Sequence, residues 1–166
     1  GNDGDEVVAL KGYRDYLLVF KKKRLIILLV NDGDEPIFDP IGEYAFYGVD
    51  HVNAVVDTDF GVAWVNNNGC FLFDGETVKD LTKEKISSVL WQNFTASVND
   101  NGDAIVDCTY LANKKQLIIF KNSTDTIGMT YICDLETGSW IKANNSGSIA
   151  PRTNVFNDTY GALCWI

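Results

Sequence analysis

The chain has 166 residues, enough for one domain with a sizeable core, and 46% of them are hydrophobic, which excludes a disordered segment. A formal net charge of −9 and a sequence pI of about 4.4 set up a field of the wrong sign for a phosphate backbone, so no nucleic-acid partner is expected. The longest apolar run, Leu25-Ile-Ile-Leu-Leu-Val30, is far too short to cross a bilayer, and no membrane role is expected.

The start, Gly1-Asn-Asp-Gly-Asp-Glu6, is acidic and lacks a signal-peptide pattern. The first residue is not Met and Gly161-Ala-Leu-Cys-Trp-Ile166 reads as an unfinished strand, so the chain is expected to be a segment of a longer polypeptide. Val7-Val-Ala-Leu10 opens a first strand. Leu17-Leu-Val-Phe20 and Leu25-Ile-Ile-Leu-Leu-Val30 form a hairpin around Lys21-Lys-Lys-Arg24, a basic run read as a solvated tip. Asn31-Asp-Gly-Asp-Glu-Pro36 is a turn signal, and residues 37–49 read as a fourth strand and a connection.

A second unit begins at Asn53-Ala-Val-Val-Asp57. Val62-Ala-Trp-Val65 and Cys70-Phe-Leu-Phe73 pair around Asn66-Asn-Asn-Gly69, whose Asn-Gly suits the positive φ of a tight hairpin. Asp74-Gly75 reverses the chain into Thr77-Val-Lys-Asp-Leu81. Residues 83–94 carry Ile86, Val89, Leu90 and Phe94 at the spacing of one short amphipathic helix. A third unit runs through residues 104–111, 117–120, 129–133 and 140–142, and a fourth starts at 153–156 and 162–166.

The second strands start at residues 17, 62 and 117, spacings of 45 and 55 residues, with the helix accounting for the longer one. Blades of a β-propeller repeat at about this period, roughly 40–50 residues. The expected fold is all-β: β-propeller-like blades of antiparallel four-stranded meanders, about three plus the start of another, in a single region over residues 1–166 with units near 7–49, 53–82, 104–143 and 153–166. A β-sandwich built from the same meanders is the alternative.

Asp134-Leu-Glu-Thr-Gly-Ser-Trp140 resembles the turn between outer strands of kelch-like blades, and Asp74-Gly-Glu-Thr-Val78 resembles a shortened version. Val7-Val-Ala-Leu10, Leu17-Leu-Val-Phe-Lys-Lys22, Thr58-Asp-Phe-Gly-Val-Ala-Trp-Val-Asn-Asn-Asn-Gly-Cys70 and Phe73-Asp-Gly75 together resemble a virion structural protein of tailed bacteriophages of the marine type. This resemblance spans residues 7–81, about half the chain. It implies a component of the tail or head–tail region, assembled in the host cytoplasm, with other virion proteins as partners and a homo-oligomer within the assembly. It carries no catalytic residues across.

The chemistry-bearing residues are read as structural. Cys70, Cys108, Cys133 and Cys164 are widely spaced and lie in apparent strands, which suits buried free thiols better than a zinc site. The sequons at Asn93, Asn122, Asn144 and Asn157 would matter only in a secretory compartment. His51 is the single histidine and sits before a strand with no nucleophile beside it. Asp57 and Asp107 stand at similar places in the first strands of their units; as a pair facing one channel they would suit glycoside chemistry, and as singles they are polar strand positions. The acidic Asp/Asn/Gly loops are read as turns rather than calcium sites. No cofactor, metal or catalytic role is expected. Function is expected through protein–protein contacts, with Trp91, Phe94 and Trp165 as candidate interface anchors or, alternatively, intramolecular core. The other readings are a kelch-like protein-binding module and a carbohydrate-binding or glycoside-active propeller.

Overall fold

The structure is a computed structural model that describes residues 4–31, 37–96, 106–121, 128–145, 154–157 and 162–165, with the backbone alone described for 121, 128, 129, 144, 145 and the last two stretches. The first sheet holds β1 (Val7–Tyr13), β2 (Tyr16–Lys21), β3 (Arg24–Asn31) and β4 (Ile37–Ala45), in that spatial order. The second holds β5 (Val55–Thr58), β6 (Gly61–Asn66), β7 (Gly69–Phe73) and β8 (Val78–Asp80). Helix α1 (Ser88–Thr95) follows. The third sheet holds β9 (Val106–Leu111), β10 (Gln116–Lys121), β11 (Gly128–Asp134) and β12 (Trp140–Asn145), and β13 (Asn154–Asn157) pairs with β14 (Ala162–Trp165) as a hairpin. Every pairing among these strands is antiparallel, so the chain is an all-β protein of repeated blade-like meanders, with one α-helix among the described residues.

The registers explain how the sheets stack. Residues paired directly across strands point to the same face. In the first sheet, Leu18 and Phe20 share a face with Ala9, Leu25 and Ile27. That face meets the second sheet, where the rings of Phe20 and Trp64 lie 5.3 Å apart, edge to face. Trp64 shares its side with Val55, Phe71 and, one pair along, Val62 and Phe73. Ala63 and Val65 point the opposite way, toward β9 and the third sheet. The third sheet answers with Leu117 and Ile119, and turns Ile118 and Phe120 away into a separate cluster with Leu111 and Ile132. Aligned on their second strands, the sheets therefore offer one parity forward (Leu18, Ala63, Ile118) and the other backward (Val19, Trp64, Ile119).

This stacking accounts for the hydropathy pattern. The second sheet is covered on both faces, so all residues of β6 and β7 are buried and both read as unbroken apolar runs. The first sheet is covered on one face, and β2 shows the alternation of a half-buried strand. Gly61 opens β6 with φ +138°, and a Cβ there would lie 1.9 Å from the Phe73 carbonyl oxygen, so only glycine fits this entry.

The turns use one device twice. Asp74 Oδ1 accepts the backbone N–H of Glu76 (2.9 Å) and Thr77 (2.8 Å), and Gly75 sits at φ +99°. Asp134 Oδ1 accepts from Glu136 (3.0 Å) and Thr137 (2.8 Å), with Gly138 at φ +67°. These are side-chain-closed turns, which Asp favours for backbone reasons alone. Trp140, just beyond the second, packs beside Tyr131 and Trp91, and its Nε1 donates to the Leu81 carbonyl across 2.9 Å. It thereby ties the third sheet to the exit of the second.

Helix α1 starts where expected in kind but later than the apolar spacing suggests: Ser87 caps it by accepting the Leu90 N–H at 3.3 Å. Among the described residues no helix is long and apolar enough to cross a membrane.

Candidate functional site

Three chain segments converge at one end of the first two sheets: the β2–β3 turn, the connection after β4 and the β6–β7 turn. Phe46 lies at their centre. Its φ is +72°, the left-handed region that a bulky side chain avoids at a cost of about 1–2 kcal/mol. The residue is 73% exposed, so burial does not compensate. Hydrogen bonds hold it instead. The Phe46 N–H donates to the Lys23 carbonyl at 2.8 Å, and its carbonyl accepts the amide groups of Asn66 (3.0 Å) and Asn68 (2.9 Å).

Asn66 is the hub of this arrangement and is buried. Its Nδ2 also donates to the Gly48 carbonyl at 2.7 Å, while its Oδ1 accepts the N–H groups of Asn68 (2.7 Å) and Gly69 (3.2 Å). Gly48 lies so close to the β2–β3 turn that a Cβ would meet the Lys21 oxygen at 2.3 Å. Behind Asn66, the Trp91 indole donates to its backbone carbonyl at 2.8 Å. The Asn-Asn-Asn-Gly hairpin, read from the sequence as a turn, therefore also clamps a distant loop.

The three segments enclose a cleft of about 490 Å³ lined by Lys22, Lys23, Arg24, Glu43, Phe46, Asp50 and the asparagines. Its charges are largely paired. Lys22 meets Glu6 at 2.9 Å, and Arg24 meets Glu43 at 2.6 Å and the buried Asp5 carboxylate at 3.1 Å. The Glu6 carboxylate raises the Lys22 ammonium pKa. The basic run thus lies at a hairpin tip as expected, neutralised in part by residues just before β1. A smaller cleft of about 210 Å³ adjoins, lined by Asp50, His51, Asn66, Asn67, Gln92 and Thr95.

The residues singled out from the sequence fall as follows. Trp91 and Phe94 are 1% and 0% exposed; they pack on each other and on Tyr131, so the chain's own third sheet takes up their aromatic surface. They seat α1 in the core rather than standing open to a partner. Trp165 belongs to β14, and its side chain lies outside the described residues. Cys70, Cys108 and Cys133 are buried free thiols; burial pushes all three thiols up, Cys133 to about 12, which suits packing rather than reactivity. The side chain of Cys164 lies outside the described residues.

Asp57 and Asp107 do not form a pair. Asp57 opposes Val62 and Asp107 opposes Phe120, which puts them three register positions apart within their units and on opposite sheet faces. Asp57 is exposed and bonds Lys11 at 2.7 Å across the first interface. Asp107 is buried, with His51 Nδ1 3.2 Å from its Oδ1, and that oxygen accepts no hydrogen bond among the described residues. Burial raises the Asp107 pKa, and the nearby imidazole offsets this only in part. The reason for the misreading is local: a 3₁₀ turn at Val52–Ala54 occupies the place where β9 already runs as strand. Among the described residues, no group of three His, Cys, Asp or Glu side chains is placed to hold a metal ion.

Sequence reading missed Phe46. Its one trace was the run of three asparagines: the hairpin turns through Asn67 and Asn68 without the positive φ expected of its Asn-Gly, and the amides of Asn66 and Asn68 serve the loop instead.

The site belongs to a protein of the blade-like all-β class. The chain matches no protein-family model, and no match among curated proteins was found.

Proposed function

We propose that this chain is a non-enzymatic structural component of a tailed-phage virion, in the tail or head–tail region, acting through protein–protein contacts. The observation that carries the assembly role is the face of the first sheet that no other sheet covers among the described residues. Leu17, Val19, Ile26, Leu28 and Val30 are half-buried there, and Leu10 and Phe38 are exposed beside them. These residues have the backward parity that Trp64 and Ile119 use to receive a preceding sheet. Apolar surface of this extent marks an interaction surface. The virion assignment rests on the resemblance over residues 7–81. Rigid stacked sheets suit such a role, because little conformational entropy is lost on docking.

The test has two arms. Mass spectrometry of purified particles asks whether the protein is present. Light scattering asks whether the 18.4 kDa chain associates, and whether Leu10→Asp with Phe38→Asp returns it to monomer. The proposal expects presence in particles and an assembly that the double variant disrupts. Absence from particles together with a concentration-independent monomer would overturn it.

A further inference from the structure

We propose that the cleft rimmed by Phe46 is a binding site for a neutral saccharide, with the Phe46 ring as the stacking plate.

The backbone at Phe46 is the first ground. A left-handed φ in a mostly exposed aromatic residue is not explained by packing. Strain of this kind persists only where the surroundings over-determine it, and it concentrates at binding sites. Here the Phe46 N–H and carbonyl are both fixed, and the fixing groups reach back through Asn66 to the buried Trp91. The ring is thus presented on a rigid mount, which limits the entropy lost on binding.

The lining selects the ligand class. Its apolar side chains are few: the Phe46 ring and the methyl of Ala45. A wholly apolar ligand finds too little to bury against. Its cations are balanced by Glu43 and Asp50 inside the cleft and by Asp5 and Glu6 behind it, so no net field selects an anion. What remains is one flat apolar plate ringed by both donors and acceptors, including the exposed Asn67 and Asn68 amides. A sugar ring has the matching character: one C–H face and a rim of hydroxyls that both donate and accept. The volume of about 490 Å³ is in the range of small-ligand sites, roughly 300–1,000 Å³. This site is separate from that face of the first sheet, and the inference does not rest on the virion reading.

The experiment is saturation-transfer NMR and titration of the intact chain with cello-, malto-, xylo- and chitohexaose, and with an oligogalacturonate and a Glu-rich peptide as comparisons. Phe46→Gly removes the ring and also relieves the left-handed backbone, so it should fold with a Tm no lower than the parent. At least one neutral hexasaccharide should bind the parent, with the signal strongest on ring C–H protons. Affinity should drop at least about tenfold in Phe46→Gly, be kept in Phe46→Trp, and fall in Asn67→Ala. Three outcomes would each overturn the proposal: no neutral saccharide binds, binding survives Phe46→Gly, or only the oligogalacturonate or the Glu-rich peptide binds and does so through Phe46.

Discussion

The Trp91 indole N–H donates to the Asn66 carbonyl at 2.8 Å, joining the inserted helix to the hairpin that holds Phe46. Trp64 is the instructive contrast. It is equally buried, yet its Nε1 finds no acceptor among the described residues. Replacing either with Phe removes similar area, but only at position 91 does it break a buried hydrogen bond, leaving the Asn66 carbonyl with its ladder pair Gly69 alone. Trp91→Phe should therefore cost about 2–3 kcal/mol and Trp64→Phe about 1 kcal/mol less, because the first loses a buried hydrogen bond and the second removes a buried donor that makes none. Urea unfolding followed by circular dichroism measures both. Equal losses at the two sites would show that the Trp91 bond contributes nothing beyond packing.

Asn66 satisfies four backbone groups at once, on Phe46, Gly48, Asn68 and Gly69. Asn66→Ala should cost about 3 kcal/mol, since the Gly48 carbonyl and the Asn68 N–H lose their bonds to it while the Phe46 carbonyl is left with Asn68 alone. The loss should be local first. Amide exchange should speed up in the β6–β7 turn and at Val49, whose N–H bonds the Lys21 carbonyl, before the third sheet is affected. Uniform acceleration across all sheets would mean that Asn66 serves the global fold rather than the loop clamp.

Asp74 links turn chemistry to acid stability. Burial alone would raise its carboxyl, but the Lys79 ammonium at 2.6 Å and the Thr77 and Glu76 N–H groups outweigh it and hold the pKa at about 2, below the usual 3.8. A carboxylate lowered on folding stabilises the protein above its unfolded pKa, and that contribution is lost as the pH falls from about 4 toward 2. With partial exposure to water, its size is about 1–2 kcal/mol. Asp74→Asn should thus lower stability at pH 7 and flatten the acid limb of stability against pH. An unchanged acid limb would assign that limb to other carboxylates.

Much of the architecture is legible along the chain because strands are written locally. Leu17-Leu-Val-Phe20 and Cys70-Phe-Leu-Phe73 are apolar runs of strand length, and Asn-Gly and Asp-Gly mark their reversals. Facing is not written locally. Trp64 and Val65 look alike in sequence, and only the register shows that one meets the first sheet and the other the third. Trp91 and Phe94 sit three apart, a spacing that serves a core face and a docking face equally; their partner Tyr131 lies far along the chain. Asp57 and Asp107 look equivalent along the chain, but the 3₁₀ turn at Val52–Ala54 displaces one strand's start. Phe46 left almost no mark, because its role comes from a backbone angle that side chains twenty residues away enforce.

Asp107 offers the sharpest electrostatic test. Its carboxyl is 8% exposed, Oδ1 accepts no hydrogen bond among the described residues, and burial raises its pKa. A carboxyl raised on folding favours the native state below its unfolded pKa, and that advantage is lost as the pH climbs through the folded value. At neutral pH the ionised group is therefore a burden that His51 relieves only in part. Asp107→Asn keeps the shape and removes the charge, and should raise stability at pH 7 by about 1 kcal/mol. The gain should shrink as the pH is lowered into the carboxylate range, where the parent's own group becomes protonated. Urea midpoints at pH 4 and pH 7 provide the comparison. A destabilised Asp107→Asn at pH 7 would instead mean that the His51–Asp107 pair is a net attraction, and that the strand start at β9 depends on it.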